Sequence, residues 1–153
     1  MKGLTAITAA FVLSLASPAA AIVGGATPSP EGIGRSVITI VGSRGNFCTG
    51  SLIAPTLVLT AAHCVQPGAE YKIVEYDADR KPTLRDVTRV AIHPGFQVQT
   101  MLVHRATADV ALLQLASPTK GKTVAALGIP QLPLVPGNKF TIAGVGVTVR
   151  GDG

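Results

Sequence analysis

Short apolar runs cut apart by glycine and proline constrain this chain more than any other feature. Six segments rich in Val, Ile and Leu recur along it: Ser36–Val41, Phe47–Ile53, Thr56–Thr60, Tyr71–Tyr76, Val87–Ile92 and Val110–Leu115. Each is too short for a buried helix and long enough for a strand. Turn signals stand between them, drawn from 17 Gly and 11 Pro; Ala54-Pro55 is one. No stretch shows helical periodicity with convincing caps, so the pattern predicts an all-β barrel or sandwich and not βαβ units. Aromatics make up only 4% of the chain and Trp is absent, so the core must rest on Val, Ile, Leu and Ala. With 47% hydrophobic and 14% charged residues, a packed chain is expected and a disordered one is not.

The two ends read differently from the middle. Met1–Ala21 has the form of a signal peptide: Lys2 is a short positive region, Leu4–Ala16 an apolar stretch, and Ala19-Ala20-Ala21 supplies the small residues a signal peptidase reads. The apolar stretch is shorter than the roughly 20 residues a bilayer span needs. Export is therefore expected, to an extracellular or periplasmic location, with no membrane attachment after removal of the segment. Near the other end, Pro130, Pro133 and Pro136 crowd into Ile129–Gly137, which reads as an extended linker. Strand character resumes over Lys139–Val149.

Charge and cysteine content narrow the classes further. The net charge of +5 is carried by scattered residues without a Lys/Arg run or interleaved aromatics, so no nucleic-acid partner is expected. Cys48 and Cys64 form an even pair in an exported chain, and a disulfide between them is the default. Closing that loop would contribute about 3 kcal/mol in the chain-entropy model.

Three places hold candidate chemistry. In Leu57-Val58-Leu59-Thr60-Ala61-Ala62-His63-Cys64 an apolar strand runs into two small residues and then a histidine beside a cysteine. A histidine so restrained can serve as a general base, because proton transfer needs geometry before it needs a matched pKa. A histidine next to a cysteine is, taken alone, more often structural. In Ala108-Asp109-Val110-Ala111-Leu112-Leu113 an aspartate heads an apolar strand, where it needs a donor such as a histidine N–H or else serves as a turn cap. Ile22-Val23-Gly24-Gly25 follows the proposed cleavage point and by itself reads as a flexible mature N-terminus.

In order and approximate spacing these segments resemble the trypsin-like, chymotrypsin-fold serine proteases, over Ile22 to about Gly151. Thr60-Ala61-Ala62-His63-Cys64 carries the resemblance most specifically, with Asp109-Val110-Ala111-Leu112-Leu113 close behind. Cys48-Thr49-Gly50-Ser51-Leu52-Ile53 resembles the segment whose cysteine pairs with the one after the catalytic histidine. Ala91-Ile92-His93-Pro94 resembles a surface strand and loop, which makes His93 structural, and His104 falls in a variable loop, where it is expected to be solvated. The resemblance implies the first of two six-stranded antiparallel barrels over residues 22–128, after a signal peptide at 1–21. Residues 129–153 would hold the linker and the first strand of a second barrel. It implies His63 as general base, Asp109 as its orienting acid, and Ile22 as the residue whose freed amine folds inward after processing. Cleavage after Ala21 would expose Ile22 directly, so signal peptidase would take the place of a separate activating protease.

The match also departs from the family. No Gly-Asp-Ser-Gly-Gly segment occurs, Arg150-Gly151-Asp152-Gly153 is only superficially like it, and Gly144-Val145-Gly146 stands where the family usually has Gly-Trp-Gly. The expectation is a secreted trypsin-like serine endopeptidase acting on proteins or peptides, truncated before its nucleophile and inactive as these residues alone. A lone first barrel would expose the face meant for the second, an aggregation risk. The alternative is a non-catalytic binding protein on the same fold. No cofactor is expected. Glu75, Asp77 and Asp79 alternate near where some family members hold calcium, but without an evident ligand cage the reading is no metal.

Overall fold

A computed structural model describes residues 32–77, 79, 81–103, 108–129, 133 and 135–146. A 3-10 turn, Gly32–Ser36, leads into β1 (Val37–Gly42), β2 (Phe47–Ala54) and β3 (Leu57–Thr60). A second 3-10 turn, Ala62–Val65, precedes β4 (Tyr71–Tyr76) and β5 (Pro82–Ile92). One turn of helix, α1 (Val98–Leu102), and β6 (Ala111–Leu115) follow. The strands close into a six-stranded barrel in the order β1-β2-β3-β6-β5-β4, with β4 returning to β1 and every pairing antiparallel. This is the all-β, chymotrypsin-like barrel expected from the sequence.

Period-two alternation fills the interior. Ile38 and Ile40 of β1, Leu52 of β2, Val58 of β3, Ile73 of β4 and Leu113 of β6 are all at most 1% exposed. Register makes them converge, since residues directly opposite one another share a face: Ile40 lies across from Ile73, Leu52 across from Val58, and Val58 across from Leu113. Each such side chain contributes roughly 1.5–3 kcal/mol when fully buried. Gly50 faces the same interior opposite Ile38. A Cβ there would come within 2.5 Å of Val58 Cγ1 and 2.9 Å of Ile40 Cδ1, so β2 approaches its neighbours too closely for any side chain.

One end of the barrel is closed by charge. Glu75 continues the inward series of Tyr71 and Ile73 and is 7% exposed. Arg85 enters from β5 opposite Ile73, its Nε donating to Glu75 Oε2 at 2.9 Å, while the Lys120 amide donates to Oε1 at 3.0 Å. Arg85 also reaches the Ser117 hydroxyl, and Lys122 Nζ donates to the Val37 carbonyl at 2.8 Å. The segment after β6 is thereby tied across the barrel end.

Three sequence expectations change. β5 begins at Pro82, five residues before Val87, because its first inward positions are the polar Thr83 and Arg85 and carry no apolar alternation. The loop before Asp109 holds α1, five residues long and below the length at which helical periodicity can be read. Lys139–Val149 has strand character in sequence, yet its described part, 139–146, pairs with no strand. Phe140 and Ile142 remain 68% and 84% exposed there, and a β-branched run without a ladder partner gains nothing from strand geometry. The segment's recorded hold on the barrel is at Val145, whose amide donates to Thr49 Oγ1 and whose carbonyl accepts from it, both at 2.9 Å. Among the described residues no helix is long and apolar enough to cross a membrane.

Candidate active site

Barrel register brings the site together. β3 and β6 are antiparallel neighbours with Thr60 opposite Ala111, so the end of β3 and the start of β6 share one rim. His63 lies three residues past Thr60, and Asp109 two residues before Ala111. Residues 46 apart in sequence thus meet without any special loop.

The turn carrying His63 is fixed from below. Ala61 is still extended (φ −79°, ψ 144°), and the chain then tightens, with the Cys64 amide donating to the Ala61 carbonyl at 3.2 Å. Ala62 and Val65 are at most 1% exposed, which explains why a small residue must precede the histidine. Cys64 forms a disulfide with Cys48 of β2, with Cα atoms 6.1 Å apart, and Tyr71 Oη donates to the Gln66 carbonyl at 2.8 Å. On the other side, Ala108 adopts a left-handed φ of 54°, and the Val110 amide donates back to the Ala108 carbonyl at 2.7 Å. That tight turn aims Asp109 at the histidine. His93 supports it structurally: its amide donates to the Val110 carbonyl, and its Nδ1 accepts from the Gly95 amide at 3.0 Å.

Asp109 grips His63 at two points. Oδ1 accepts from the His63 backbone amide at 2.9 Å, and Oδ2 lies 2.7 Å from ring Nδ1. A carboxylate only accepts, so Nδ1 carries the hydrogen and the neutral ring presents its lone pair at Nε2. Partial burial pushes the Asp109 carboxyl upward. Hydrogen bonds from the His63 ring and amide, the His63 charge and a bond from the Ala62 backbone outweigh it, and the carboxyl lies below its ordinary range. The side chains of His63 and Asp109 are 42% and 23% exposed, so the ring's far edge is open to a reactant. Such an arrangement can take a proton at Nε2 and hand it on.

Among the described residues, the other sequence candidates do not join this site. Ile22, His104 and Arg150-Gly151-Asp152-Gly153 lie outside the described residues. Glu75, Asp77 and Asp79 do not converge: Glu75 is spent on Arg85 and Lys120, while Asp77 Oδ1 accepts from the Asp79 and Lys81 amides in a turn. Among the described residues, the groups close enough to hold a metal are Cys48, His63 and Cys64, but both sulfurs are bonded to each other and offer no thiolate. Sequence reading missed the Thr49–Val145 and Glu75–Arg85 contacts. A signal for the second was present, since period two puts Glu75 on the same face as Tyr71 and Ile73.

Fold and site together define an antiparallel-barrel protein with an oriented histidine–carboxylate pair on its rim. The trypsin family model matches residues 22–152, and the chain belongs to that family. It is similar to seminase of Drosophila melanogaster, 29% identical over 136 residues that cover 86% of this chain and 48% of seminase. It is also similar to trypsin V-A of Rattus norvegicus, 30% identical over 130 residues that cover 82% of this chain and 50% of the relative. The chain thus spans about half the length of these curated relatives. The solved structure of GrC shares the fold, with a TM-score of 0.56 at 24% identity over 76% of this chain and 53% of its own.

Proposed function

We propose that this chain supplies the general base and orienting carboxylate of a secreted serine endopeptidase that cleaves protein or peptide substrates. The observation that carries the reading is the two-point grip of Asp109 on His63, which fixes both the tautomer and the ring's direction. In the reaction, a serine hydroxyl gives its proton to His63 Nε2 as its oxygen attacks the scissile carbonyl. The proton then passes to the leaving amine, and water, deprotonated by the same nitrogen, hydrolyses the acyl-enzyme. The serine would come from outside these 153 residues, in a Gly-Asp-Ser-Gly-Gly segment that the sequence does not contain. In this reading residues 1–21 direct export, 22–128 form the barrel unit and 129–153 lead toward a second unit. The Ile22 amine, freed by signal removal, completes activation.

A fluorophosphonate probe tests the reading. The 153-residue chain should not be labelled. A reading frame continuing past Gly153 into such a serine segment should give a labelled product, and His63→Ala should abolish its labelling. An unlabelled long product with the serine present would favour the non-catalytic binder, and labelling of the short chain would refute the assignment of the nucleophile.

A further inference from the structure

Asp109 commits one nitrogen of His63, and the other stands 3.5 Å from Cys64 Sγ. A disulfide sulfur is a weak acceptor, so this contact contributes little while the bridge is intact. Its chemical weight rises when the S–S bond breaks, because the departing sulfur then carries a full negative charge beside a ring able to deliver a proton. A cationic neighbour lowers a thiol's pKa, and a leaving thiol of lower pKa departs faster. The two sulfurs are also unequal in access. Cys64 is 6% exposed, whereas Cys48 is half-buried at the start of β2 beside Phe47, itself 59% exposed.

We propose that the Cys48–Cys64 bridge is a thiol–disulfide exchange site for small external thiols, with Cys48 attacked and His63 serving the departing Cys64. An external thiolate attacks Cys48 Sγ; a new S–S bond forms there as the bond to Cys64 breaks. The electron pair leaves on Cys64 Sγ, which takes the proton carried on protonated His63 Nε2. The products are a mixed disulfide on Cys48, a Cys64 thiol and neutral His63. A second thiolate then attacks the external sulfur of the mixed disulfide, releasing the oxidised external thiol and a Cys48 thiolate that takes a proton from water. Two external thiols have been oxidised and one bridge reduced. In the reduced chain the Cys64 thiol holds Nε2, so the nitrogen needed for peptide hydrolysis is no longer free and the bridge couples redox state to the base.

The test reacts the oxidised chain with reduced glutathione, quenches with acid, and locates the mixed disulfide by mass spectrometry. Among the described residues the ionisable group facing the ring is Asp109 before β6; the two bridge sulfurs, Cys48 from β2 and Cys64 from its own turn, lie beside it and become ionisable only once the bridge is broken. The adduct is expected on Cys48, in at least about tenfold excess over Cys64. At about pH 6, with rates corrected to equal thiolate, His63→Gln should react about tenfold more slowly than the unaltered chain; near pH 9, where a neutral imidazole with its one hydrogen on Nδ1 has none to give from Nε2, the two should converge. Glutathione on Cys64, or equal rates at the lower pH, would overturn the proposal. Should His63→Gln fail to fold, the unaltered chain still decides: a thiolate-corrected rate that is flat between the two pH values refutes the proton donor. No readout here depends on peptide hydrolysis, so this proposal and the peptidase reading can fail separately.

Discussion

Replacing Arg85 with methionine removes a cation from the closed end of the barrel while keeping most of the buried stem. Glu75, only 7% exposed, then loses the Nε–H donor at 2.9 Å and keeps the Lys120 amide at 3.0 Å. Removing one partner of a buried pair costs about 3–5 kcal/mol, because the remaining charge stays desolvated. Lys122 offsets part of this. Burial holds its pKa below the ordinary lysine value and the Glu75 charge offsets only part of that, so its ammonium feels that carboxylate. The expected loss is therefore at the lower end, about 3 kcal/mol. At roughly 4–8 °C per kcal/mol for a domain of this size, the melting temperature should fall by about 12–24 °C. Adding Glu75→Gln should recover about 2 kcal/mol, since a neutral amide oxygen can still accept from Lys120 without an unpaired charge. Thermal and urea unfolding of the four chains completes the cycle. A loss below about 1 kcal/mol for Arg85→Met, or simple additivity in the double variant, would refute the reasoning and mean that water already solvates Glu75.

Other outcomes can be checked on the same material. Gly50→Ala should destabilise the barrel by about 1–3 kcal/mol through overpacking against Val58 and Ile40, and Val58→Ala in the same chain should cost less than additively, measured by urea unfolding. Thr49→Val removes both side-chain bonds to Val145, so hydrogen exchange at the Val145 amide should speed up while β2 and β3 amides are unchanged. Because the Asp109 carboxyl is held below its ordinary range, its stabilising contribution is present above the unfolded value near ~3.9 and is lost as pH falls through the lower folded value. The stability gap between the unaltered chain and Asp109→Asn, followed by urea unfolding, should therefore close as the solution is acidified below about pH 4; a constant gap would contradict the assigned hydrogen bonds.

Most of the barrel was legible because its inward positions are apolar and β-branched. Tyr71–Tyr76 coincides with β4 to the residue, since Tyr71 and Ile73 alternate with half-buried neighbours. The first half of β5 was not legible, because a strand end facing an ion pair has polar residues at inward positions and looks like a loop. Lys139–Val149 shows the opposite failure. Its composition suits a strand, but strand formation depends on a partner ladder that composition cannot supply. For the site, local sequence nominated His63 and Asp109 separately and left each with an ordinary structural explanation. Their pairing came from family resemblance, and its physical cause, the Thr60–Ala111 register, is a property of barrel closure that neither segment carries alone.

That register has a consequence for how the site is built. The ladder joining β3 to β6, the disulfide tying the histidine turn to β2, and the tight turn at Ala108 all lie within residues 48–115. Asp109 adds a bond to the His63 amide as well as to the ring, so the carboxylate fixes the backbone from which the imidazole projects. Ring orientation therefore follows from contacts within the closed barrel. What the barrel leaves open is the far edge of the ring, with the His63 side chain 42% exposed and Cys64 Sγ its near neighbour at 3.5 Å. In the proposed role of general base, a ring held in this way would be preorganised before any reactant arrives, so the cost of orienting it would be met during folding and not during the reaction.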